Sequence, residues 1–141
     1  MTETSSRKIA VIFADGSRQN IDIYTEEMID GESMLYRISL RQDGKLKMAE
    51  SKENLFDALR KLRIEFERSD VRLYCFGASE NVYPSPMQES MGSAVLAYKT
   101  YLGKQAYSKD IVNIFDVDDS VNPSTVKEQE FFHKKWLDSL L

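Results

Sequence analysis

Met34-Leu35-Tyr36-Arg37-Ile38-Ser39-Leu40-Arg41-Gln42-Asp43-Gly44-Lys45-Leu46-Lys47-Met48 is the stretch that decides the fold. Met34, Tyr36, Ile38 and Leu40 alternate with Leu35, Arg37, Ser39 and Arg41, the period of two that puts one strand face on a core and the other in water. Asp43-Gly44 then reads as a type I′ turn, because Asp tolerates and Gly readily adopts the positive φ that both central positions need. The chain returns through Leu46 and Met48, closing a β-hairpin. Upstream, Ile9, Val11 and Phe13 share one strand face, and after Asp15-Gly16 so do Ile21 and Ile23, which predicts a second antiparallel hairpin.

Downstream the period changes. Leu55, Leu59, Leu62 and Phe66 recur at helical spacing, predicting a helix to about Arg68 with Ser51 as its N-cap. Val71 to Phe76 is a short apolar run ending at Gly77 and reads as a buried central strand. Pro84 and Pro86 make residues 78–88 a stiff loop, since each removes a backbone donor and fixes φ. Met91, Val95, Tyr98 and Leu102 fit a second helix over residues 88–102 with Gly103 just past its end. Ser108 is placed to cap a short turn through Ile111, Val112, Ile114 and Phe115, and residues 116–123 read as a polar loop. Thr125 and Glu128 form a capping box for a last helix carrying Phe132, Trp136 and Leu140 on one face. Strands followed by helices argue for an α+β fold: two antiparallel hairpins plus a further strand in one sheet, with three helices packed mainly on one face.

A chain of 141 residues with 42% hydrophobic and 30% charged residues is sized for a single domain spanning 1–141, with residues 1–6 expected as a disordered tail. The lone Cys75 rules out an internal disulfide and suits a reducing compartment, and no apolar run is long enough for a membrane span. Cytoplasmic residence is the expectation. A formal charge of −4 has the wrong sign for generic binding to free nucleic acid.

Catalytic signals are few. His133 is the only histidine and has no neighbouring Cys or His to complete a metal site. Cys75 lies between Tyr74 and Phe76, where burial would keep the thiol protonated and inert. Neither glycine-rich phosphate motif occurs. Asp116, Asp118, Ser120 and Asn122 have the alternate spacing of a calcium loop, but Val121 replaces the required Gly and Lys127 stands at the twelfth position. No enzyme activity, metal or cofactor is therefore expected.

Two features point instead to binding. Residues 110–130 carry six carboxylates against Lys127 alone, and of these Asp116, Asp118 and Asp119 are not explained by the favourable field at a helix start. The proline-stiffened loop offers Glu80, Tyr83 and Met87, with Tyr83 readable either as an anchor for a partner or as a lid on the core. These six are the candidate partner-binding residues.

Leu73-Tyr-Cys-Phe-Gly-Ala78, Asn81-Val-Tyr-Pro-Ser-Pro-Met87, Met91-Gly-Ser93 with Ala97-Tyr98, and Asp110-Ile-Val-Asn-Ile-Phe115 together resemble small bacterial immunity proteins of contact-dependent inhibition and other polymorphic toxin systems. The similarity is strongest over residues 71–116. It implies a toxin inhibitor that binds a cognate, basic toxin domain, with a nuclease as one candidate, and occludes it; no functional residue transfers from it. Acidic side chains would steer such a partner. The alternative is an accessory protein that binds a small molecule or peptide in a pocket beneath Pro84 and Pro86.

Overall fold

A computed structural model describes residues 2–141. Strands β1 (Thr2–Ile12), β2 (Arg18–Asp30), β3 (Ser33–Gln42) and β4 (Lys45–Ser51) form an antiparallel meander, and β5 (Arg72–Tyr74) adds antiparallel to the outside of β1. The sheet order is β4-β3-β2-β1-β5. The decisive turn forms as the chemistry requires, with φ of 51° at Asp43 and 76° at Gly44. Gly31, at φ 67°, closes a β2–β3 hairpin that the alternation alone did not mark.

A second sheet, β6 (Val82–Tyr83), β7 (Leu96–Lys99) and β8 (Ile111–Asn113), is antiparallel in the order β6-β7-β8. The helices are α1 (Leu55–Glu67), α2 (Pro86–Ser90) and α3 (Val126–Ser139). Ile9, Val11, Ile21, Ile23, Ile38 and Leu40 form the buried sheet face, against which α1 packs Leu55, Leu59, Leu62 and Phe66. Each such side chain contributes about 1.5–3 kcal/mol by leaving water. The fold is α+β, as the sequence pattern implied.

Several local expectations are corrected. Thr2–Ser6 are not a disordered tail but strand, in register with Tyr24–Met28; Met1 lies outside the described residues. Asn54, not Ser51, caps α1: its Oδ1 accepts from the Asp57 amide at 2.7 Å, while Ser51 ends β4 and donates to the Asp57 carboxylate. The run from Val71 is an edge strand rather than a central one, buried because Leu73 and Cys75 face the core. The helix expected over 88–102 does not form. α2 ends beside Gly92, Ala94 turns the backbone to φ 55°, and the chain re-emerges as β7 between β6 and β8. Met91 is 79% exposed, so its stripe with Val95, Tyr98 and Leu102 never buries as one face. Ile111–Asn113 is likewise strand rather than part of a turn.

Candidate functional site

The site begins at a buried polar hub. Gly77 lies in a 3₁₀ turn, Phe76–Ala78, where an added Cβ would run into a Leu59 methyl and fall 3.1 Å from the Ile114 carbonyl oxygen, so any larger residue would have to displace its neighbours. Its carbonyl accepts from Arg63 at 3.1 Å and from the Gln129 carboxamide at 3.0 Å. Arg63 also donates to Gln129 Oε1 (2.6 Å) and the Ser124 carbonyl (2.9 Å), and Gln129 shares its remaining reach with the Ser79 and Val82 carbonyls. Both side chains are essentially fully buried. Gln129 thereby pins α3 to the start of β6.

One helical turn onward, His133 lands on the residue after Val82. Its imidazole stacks on Tyr83 with centroids 3.9 Å apart and 11° between planes. Tyr83 in turn meets Phe56 edge-on at 5.1 Å, and its hydroxyl accepts from Arg60. Trp136, three residues after His133, donates from Nε1 to the Lys104 carbonyl at 2.9 Å, which fixes α3 against the loop after β7. In the sheet register Tyr83 pairs with Tyr98 and Tyr98 with Ile111, so all three present side chains on the same outer face.

These elements enclose a groove of about 400 Å³ lined by Tyr83, Pro84, Tyr98, His133, Trp136 and Leu140. It adjoins a second groove of about 380 Å³ with Met87, Met91, Val95 and Leu96; Ser85 and Tyr98 border both. The loop between them is held firm: Ser85 caps α2 through a reciprocal box with Gln88, Pro86 opens the helix, and Asn81 and Thr100 are bonded through side chains and backbone. Met87, Met91, Leu96, Ile111, Leu137 and Leu140 are all exposed around this surface.

Burial pushes the His133 imidazole below its ordinary value, and its Nδ1 is enclosed without a hydrogen-bond partner among the described residues. Burial raises the Tyr83 phenol, with Arg60 opposing. The groove therefore presents a neutral imidazole, a protonated phenol and apolar walls. That set can stack, bury and hydrogen-bond a ligand. Cys75 lies elsewhere, fully buried, its thiol pushed up to about 11 by burial.

The six candidate residues fall into two groups. Tyr83 and Met87 flank the grooves, Tyr83 serving at once as core lid and groove wall. Asp116, Asp118 and Asp119 are exposed on the loop after β8, and Glu80 joins that loop through its amide, which donates to the Asn122 carbonyl. In space the acidic triplet is less one-signed than along the chain. Arg7 of β1 pairs with Asp116, and Asp118, held down by two bonds from Ser120, also feels Lys99. Tyr98, Met91, His133 and Trp136 were not singled out for binding from sequence. The capping box at Thr125 marks where α3 starts, and the shared face of Phe132, Trp136 and Leu140 was the signal that pointed to Trp136; none pointed to His133.

A larger cleft of about 570 Å³ lies between β4 and the end of α1, bordered by Asp43, Lys45, Lys47 and Glu65. Among the described residues no three His, Cys, Asp or Glu side chains group to hold a metal ion, and no helix is long and apolar enough to cross a membrane. No protein-family model matches the chain, and no curated protein matches its sequence.

Proposed function

We propose that this chain is a binding protein of the immunity type, which neutralises a cognate bacterial toxin domain by covering it with the surface built from β6, α2, β7 and α3. The single observation that supports this reading most is the joined pair of grooves, ringed by exposed methionines and leucines and floored by aromatic rings. Contiguous exposed apolar surface on a small domain marks an interaction site, and rigid aromatic anchors lose little entropy on binding. The loop with Asp116, Asp118 and Asp119 adds a negative flank that would speed the approach of a basic partner without supplying most of the affinity.

The test is protection from a toxin. The C-terminal domain of the protein encoded immediately upstream is expressed in a host together with this chain. Wild-type chain restores growth; Met91→Glu with Leu137→Glu, two exposed positions whose change leaves the fold intact, abolishes protection. No rescue by the wild type, or equal rescue by the double variant, contradicts the reading.

A second reading has its own support in the more enclosed of the two grooves, whose volume suits a small ligand or a short peptide. Binding of that kind would be insensitive to ionic strength, whereas charge-steered association with a toxin slows as salt rises.

A further inference from the structure

β1 lies along an edge of the five-stranded sheet that is only partly covered. β5 pairs with it at Ala10, Val11 and Ile12 and no further. Among the described residues, no backbone hydrogen bond reaches Thr2–Lys8 from any element other than β2. Such an edge is a template for another strand unless charge, proline or a bulge blunts it. Here Thr2, Thr4, Ser5 and Ser6 are all exposed, the stretch holds no proline, and its first lysine is Lys8.

The charges on this edge are unusual. Glu3 stands directly opposite Glu27 in the β1–β2 register, an arrangement that destabilises a strand pair. Neither carboxylate belongs to any ion pair among the described residues, whereas neighbouring Glu26 is held by Arg37. Glu27 is half-buried, and burial together with Glu3 raises its carboxyl above the ordinary value. The pair lacks a cation, and an incoming strand at the free edge is the element that would bring one beside Glu3.

The chain carries that cation four residues along the same strand. Arg7 shares the Glu3 face, because side chains an even number of residues apart point the same way. If a second β1 approaches antiparallel with Ser5 opposite Ser5, then Thr4 faces Ser6 and Glu3 faces Arg7, and two-fold symmetry repeats each contact. The guanidinium now on Asp116 has five donors and can hold both carboxylates.

We propose that the free edge of β1 is a self-association surface, pairing antiparallel with β1 of a second copy about a two-fold axis at Ser5, with Glu3 of each copy meeting Arg7 of the other. The two five-stranded sheets become one continuous sheet through an isologous contact. The residues lining the grooves are not on β1, so the dimer carries two copies of the binding surface.

Disulfide trapping and charge exchange test it. Directly opposed antiparallel residues have Cα atoms about 4.5–5.5 Å apart, inside the window for a disulfide, whereas in this register two copies of residue 2 lie about 20 Å apart. Under mild oxidation Ser5→Cys should cross-link roughly tenfold or more faster than Thr2→Cys, because pairing raises the local thiol concentration. Buried Cys75 stays out of the reaction. In sedimentation, Glu3→Arg alone and Arg7→Glu alone should run as monomers at concentrations where the wild type dimerises, and a one-to-one mixture of the two variants should dimerise again. Melting curves check that Arg7→Glu, which loses Asp116, remains folded; Glu3→Arg, at an exposed position, carries the test if it does not. The proposal is overturned if Ser5→Cys cross-links no faster than Thr2→Cys, if Glu3→Arg dimerises like the wild type, or if the wild type stays monomeric and its β1 amides become protected only in a toxin complex.

Discussion

Arg63 is a buried cation whose three hydrogen-bond partners are all uncharged: two carbonyls and the Gln129 amide oxygen. These three bonds offset part of the cost of taking the charge out of water, because an unpaired buried group costs its full desolvation. Arg63→Met leaves the Gln129 Oε1 and Ser124 carbonyl acceptors without their donor, while Gly77 keeps the Gln129 bond, and should lower unfolding stability by about 3 kcal/mol or more in a urea titration. Gln129→Leu should also destabilise, and the double variant should cost less than the sum, since the two share the Gly77 carbonyl and each other. Strict additivity would show that the hub is not a coupled unit.

His133 makes the stability of the fold pH-dependent. Its folded-state value is depressed by burial, so from about pH 6.5 downward the unfolded chain takes up a proton that the folded chain resists. Stability from this group is complete above that pH and is lost as pH falls through the folded value. His133→Phe keeps a ring on Tyr83 and removes the titration. Between pH 7.5 and 5 its midpoint of thermal unfolding should therefore fall less than that of the wild type. Equal slopes would mean the imidazole titrates as if exposed.

At the scale of elements, the acidic loop is held by its own bonds and by Arg7, yet its carboxylates remain in water. An exposed pair such as Arg7 with Asp116 contributes at most about 1 kcal/mol. Replacing Asp116, Asp118 and Asp119 together by Asn should change stability little while slowing association with the proposed toxin partner and flattening its salt dependence; unchanged kinetics would remove the loop from the encounter. Elements also mark where sequence was readable. The β3–β4 hairpin and α3 were legible because their signals are local: Asp43-Gly44 in one, Thr125 and Glu128 in the other. β7 was not. Met91, Val95, Tyr98 and Leu102 keep a helical spacing, and what overrides it is pairing with Val82–Tyr83 and Ile111–Asn113, partners that no window along the chain contains.

For the whole molecule, the proposed binding surface is assembled from segments some fifty residues apart, brought together by a hub whose members lie on α1, a 3₁₀ turn and α3. Tyr83 and Met87 were visible because prolines advertise their loop; Tyr98, Trp136 and His133 join them only once Gln129 has docked α3. This surface is where the proposed partner sits. Hydrogen exchange on the chain mixed with its proposed partner, the domain encoded immediately upstream, tests that directly. Amides of residues 83–98 and the second half of α3 should slow on binding, beyond their rates in the free chain. Protection confined to the five-stranded sheet, with those segments exchanging as freely as before, would contradict it.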